Sequence, residues 1–161
     1  MSDTAEGWTR VLRAFDDWIE YETTEFGPWT GYFSLENLQG LMDKERLSWM
    51  GSMVDEIIPG RIESCRNAGV ALEDFLPYMP DAMAIETVRS MIDLNLVLQD
   101  GMLKMSDAVT RMADEYKVGG LDEIGGHLKE LKEIEEDIRH HMSLYSKGFA
   151  RLRSLGLEMP D

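Results

Sequence analysis

The side chains in this sequence best equipped for chemistry are carboxylates. Glu22 and Glu56 each fall on or beside the apolar stripe of a separate helical stretch, and Glu133 and Glu136 stand three apart on a later one. His141 follows Ile138 by three residues and precedes Tyr145 by four, so it reaches an apolar seam as well, while Asn95 and Gln99 offer amides on the remaining stretch. Carboxylates and an imidazole gathered inside a helical core are ligands for a divalent cation or carriers of a proton. The plainer alternative for His141 is a core histidine hydrogen-bonded to a neighbour such as Asn95 or Glu22.

The elements that must position these groups are helices. From Gly119 to Leu155 apolar residues recur at Leu121, Ile124, Leu128, Leu131, Ile134, Ile138, Met142, Tyr145, Phe149 and Leu152, always three or four apart, the spacing of one helix face. A helix of that length is roughly 50 Å long and needs partners of similar length. Upstream, Trp8, Leu12, Phe15 and Ile19 mark a first helix that Gly27-Pro28 stops. Ser34 caps a second running through Leu38, Met42, Trp49, Met53 and Ile57, and its spacing resumes at Ile62, Cys65 and Ala68 beyond Pro59. Asp81 caps a third with Ile85, Val88, Met91, Leu98, Met102, Met105, Val109 and Met112 inward, and Gly119-Gly120 turns into the fourth. The expectation is an all-α, antiparallel four-helix bundle in one domain over 1–161, with helices at about 4–25, 35–68, 81–116 and 120–155 and the second kinked at Pro59.

The acidic layout in this architecture resembles the ferritin-like di-iron bundles, which set a Glu on each of two helices and Glu-x-x-His on each of the other two. That resemblance implies a divalent metal or small ligand held by Glu22, Glu56, Glu133, Glu136 and His141. The sequence departs from the family pattern at Pro59 and Glu136, which stand three residues after Glu56 and Glu133 where histidines belong. The third helix offers amides in place of a carboxylate. The irregular stretch Gly69–Pro80 reaches at most about 40 Å when extended, which favours a hairpin over the family's long crossover.

Other chemistry finds less support. There is no glycine-rich phosphate loop, Gly-x-Ser-x-Gly elbow or paired cysteine motif, and Cys65 is the only cysteine. A formal charge of −15 repels phosphate backbones and argues against nucleic acid as a partner. No apolar run has membrane-spanning length, and the acidic start is wrong for a secretory signal, so a cytoplasmic protein is expected.

The surfaces expected to meet partners are the aromatic connection Gly27–Phe33, with Trp29, Tyr32 and Phe33, the segment Phe75–Pro80, with Phe75 and Tyr78, and the basic end of the fourth helix, with Arg139, Arg151 and Arg153. The plainer reading of the aromatic connection is a plug over one end of the core. Met79, Met83 and Met159 are the methionines expected at the surface. In the fourth helix, seven acids and two lysines lie between Asp122 and Asp137, whereas Arg139 to Arg153 holds four basic residues, two histidines and no acid. Such a split exceeds what the helix dipole favours in its terminal turns, and it suits two copies pairing antiparallel in a two-fold homodimer. The sequence therefore points to a self-associating binding or regulatory module rather than an enzyme. No cofactor is expected, with divalent metal as the alternative.

Overall fold

A computed structural model describes residues 3–156, so Met159 and Pro160 lie outside the described residues. The described chain is all-helical, without strands. Helix α1 spans Asp3–Tyr21 and passes through a π-helical turn, Glu22–Phe26, into a 3-10 segment, Gly27–Tyr32. Pro28 sits in the first turn of that segment, where its missing N–H costs nothing, so the backbone stays helical past the expected stop. Next come α2 (Leu35–Gln39), α3 (Asp43–Ser52), a second π-helical turn (Met53–Ile57) and α4 (Ile58–Phe75). After a 3-10 turn at Leu76–Tyr78 follow α5 (Ala82–Gly119), α6 (Gly125–Ser143) and α7 (Tyr145–Ser154). The Asp81 carboxylate accepts from the Ala84 amide at 2.8 Å, the cap that starts α5.

Three features differ from the sequence expectation. The second helix is interrupted at Gly40–Met42, where the Met42 amide donates to the Glu45 carboxylate at 3.0 Å and starts α3 afresh. The helix continues past Pro59, where the π-helical turn lets the Ile58 amide reach Met53 O and leaves Pro59 in a first turn, but it ends at Phe75 rather than at Ala68. Gly69, which reads as a terminator, is a packing glycine: a Cβ there would meet Asn95 Oδ1 at 2.5 Å. The fourth helix breaks at Leu144 without glycine or proline. There the Ser143 and Ser146 hydroxyls donate to the carbonyls of His140 (2.6 Å) and Ser143 (2.8 Å), and the amides of Leu144 and Lys147 take partners three residues back. Hydroxyls competing for helix carbonyls bend or end a helix in this manner.

Helix α4 packs on α1 and α5, and α5 packs on α6 and α7. The buried face of α1 carries Trp8, Val11, Phe15 and Trp18, while Ile19 is 56% exposed at the edge. Methionines 50, 53, 91, 102, 105 and 112 fill the interior between larger groups, the role their flexible thioethers suit. Met79 is also buried, contrary to expectation, whereas Met83 is exposed. No described helix is long and apolar enough to cross a membrane.

Candidate functional site

The centre of the molecule holds an arginine that the apolar pattern did not single out. Arg61 is fully buried on α4, one turn before Cys65 and two before Gly69. Glu22, placed inward by the π-helical turn after α1, meets it side-on, with Nε to Oε2 and Nη2 to Oε1 both at 2.7 Å. Glu135 on α6 takes the other edge, from Nη1 at 2.7 Å and Nη2 at 3.2 Å. Nη1 also lies 3.9 Å from Met105 Sδ, and the guanidinium carbon stands 3.8 Å from the centroid of the Phe26 ring. These contacts occupy all the N–H donors a guanidinium owns, and forked carboxylate pairs are the strongest hydrogen bonds available to it.

Burial alone would lower the pKa of Arg61, but the hydrogen bonds and charges of Glu22 and Glu135 outweigh it and raise the value above that of a free arginine. Two carboxylates and one guanidinium leave one negative charge, which Arg139 offsets through a 2.8 Å contact with Glu135 at the surface. The neighbouring Tyr21 hydroxyl donates to Ile57 O at 2.8 Å, beside the second π-helical turn. Its pKa is raised by burial first, and then by Glu25 and Glu22.

A second buried polar group lies between α4 and α5. Asn95 donates to Cys65 O at 2.9 Å, joining α5 to α4, and accepts from Gln99 one turn along its own helix at 2.7 Å. Burial pushes the Cys65 thiol up to about 12, which leaves it without thiolate character at neutral pH. Tyr145 is raised as well, by burial, with nearby Asn95 acting against the shift. Its hydroxyl is nevertheless buried without a partner in hydrogen-bonding geometry, as are the indole N–H groups of Trp8 and Trp18.

The five residues suggested as metal ligands do not converge. Glu22 is committed to Arg61, and Glu56, Glu133 and Glu136 are exposed. His141 is partly exposed and bonds its own helix, Nδ1 to Asp137 O at 2.8 Å, rather than Asn95 or Glu22. Among the described residues no three His, Cys, Asp or Glu side chains are grouped to hold a metal ion. The register explains the difference: Leu128, Leu131, Glu135 and Ile138 form the buried face of α6, so the inward acid is Glu135, with Glu133 and Glu136 on either side of it.

The expected contact residues divide into core and surface. Phe33 (3% exposed) packs on Trp49, and Phe75 is fully buried against Trp8, with ring centroids 5.3 Å apart. Trp29 and Tyr32 join Trp49 around a cavity of about 390 Å³ at one end of the molecule. Tyr78 is 40% exposed. Arg139 is tied to Glu135, and Arg153 lies on a cleft of about 400 Å³ between α1 and α7, walled by Leu12, Phe15, Met142 and Phe149. Arg151 lies on the opposite side of α7, along a groove shared with α5.

Compared with protein-family models, curated proteins and solved structures, the chain finds no match.

Proposed function

We propose that this protein is a self-associating binding module built as an antiparallel four-helix bundle, with its second helix bent at Pro59, and that a second copy of the chain covers the cleft between α1 and α7. The observation that carries this reading is the apolar cleft, with Ile19 exposed on its lining, set beside a helix pair of divided charge. Glu133, Glu136 and Asp137 are exposed on α6, and Arg153 is exposed on the cleft side of α7. A two-fold axis across this pair sets acid against base twice over. Apolar contact then supplies affinity, and the charges fix the orientation.

The alternative, a ferritin-like site for a divalent metal or small ligand at Glu22, Glu56, Glu133, Glu136 and His141, has less support, since Glu22 is committed to Arg61 and Glu56, Glu133 and Glu136 are exposed. The self-association reading is tested by sedimentation equilibrium of the full chain and of a Glu133→Lys/Glu136→Lys variant. A dimer in the wild type and a weaker one in the variant are expected. Equal association of the two would overturn the charge-matched arrangement.

A further inference from the structure

The groove on the other side of α7, between it and α5, has a volume of about 520 Å³. Its floor is apolar, made by Met91, Leu94 and Leu144. Gly148 allows the two helices to approach, since a Cβ there would lie 2.7 Å from both Cγ and Sδ of Met91. The walls differ in charge. Lys147 and Arg151 stand one turn apart on α7, and neither has an ion-pair partner among the described residues. Facing them on α5 are Glu86 and the Ser90 hydroxyl; the Thr87 hydroxyl is already spent on Met83 O at 2.8 Å.

We propose that this groove binds a small amphipathic monoanion from solution, a carboxylate on an apolar body. The carboxylate sits between Lys147 and Arg151 with Ser90 as an added donor, and the apolar body lies over Met91, Leu94 and Leu144. Two cations and one carboxylate give the walls a formal charge of one positive unit, which a single carboxylate neutralises and a dianion would overshoot. Size and lining agree, because ligand pockets are mostly apolar with a few convergent polar groups. The site goes beyond self-association, since it opens on the face of α7 turned away from the α1 cleft.

The test is an NMR titration of the full ¹⁵N-labelled chain with decanoate and, separately, with decyltrimethylammonium, which has a similar tail and the opposite charge. Decanoate is expected to shift the amides of Ser90, Leu94, Leu144, Lys147 and Arg151, and to bind about tenfold more tightly than the ammonium. Ser90→Trp and Leu94→Trp fill the groove without altering its charge. They should abolish these shifts while sedimentation shows unchanged self-association. Equal binding of the two amphiphiles would overturn the proposal, as would decanoate shifts around Leu12 and Phe149 that survive Ser90→Trp.

Discussion

The buried centre around Arg61 and the edges of α7 treat polar groups in opposite ways. At the centre every guanidinium donor is matched, with two carboxylates closing on one cation from three helical elements. Along α7 the Tyr145 hydroxyl and the indoles of Trp8 and Trp18 are buried without partners, while cations stand in grooves on either side. A matched ionic centre is rigid and intolerant of partial change. An unmatched edge loses little when altered and has surface left over for binding. Of the carboxylates that drew attention in the sequence, Glu22 thus serves the architecture, and binding is assigned to the helix that the sequence marked by its charge split.

Breaking the centre should have the largest effect. Arg61→Met leaves Glu22 and Glu135 facing each other without a cation, and should cost about 3–5 kcal/mol in urea unfolding. The triple variant Glu22→Leu/Arg61→Met/Glu135→Leu should recover most of that loss, because apolar groups of similar volume replace a buried ionic cluster at little cost. A triple variant as unstable as Arg61→Met would show that packing, not charge matching, governs this region.

Gly69→Ala should follow, at about 1–3 kcal/mol, since the added methyl forces Asn95 away from the Cys65 carbonyl. Equilibrium unfolding at neutral pH measures it. Alkaline pH gives a smaller, signed effect. The Cys65 thiol ionises near 12 when folded and near 9.0 when exposed, so between those values the unfolded chain holds fewer protons and stability falls as pH rises. By pH 10 the wild type should lose about 1 kcal/mol more than Cys65→Ala, each relative to its own value at pH 7. Parallel pH profiles for the two proteins would remove Cys65 from the explanation. Least of all, Tyr145→Phe should change stability by under about 1 kcal/mol, because the hydroxyl it removes has no partner to lose.

Much of the helical pattern was legible because apolar spacing carries it. Leu128, Leu131, Ile138, Tyr145 and Leu152 all lie inward as their intervals imply, and Asp81 caps α5. The rest of the ionic centre was hidden because Arg61 and Glu135 each stand beside an isoleucine that keeps the apolar spacing. Spacing assigns Ile62 and Ile134 to the inward face, although the positions beside them, Arg61 and Glu135, are the buried ones. The signal was present in the intervals Ile58–Arg61–Cys65 and Leu131–Glu135–Ile138, each three then four or the reverse, with opposite charges at matching places on two stripes. Gly69 looked like a break because its reason for being glycine, the Asn95 side chain, lies on another helix. The interruption at Leu144 depends on serine hydroxyls, which also occur within unbroken helices, so composition gave little warning of it.

Self-association should respond to salt, measured by sedimentation equilibrium of the wild-type chain at low and at high ionic strength. Acid-against-base pairing along α6 and α7 predicts a dimer at low salt that dissociates more readily as screening increases. A chain that is monomeric at low salt, or a dimer equally tight in both, would contradict it.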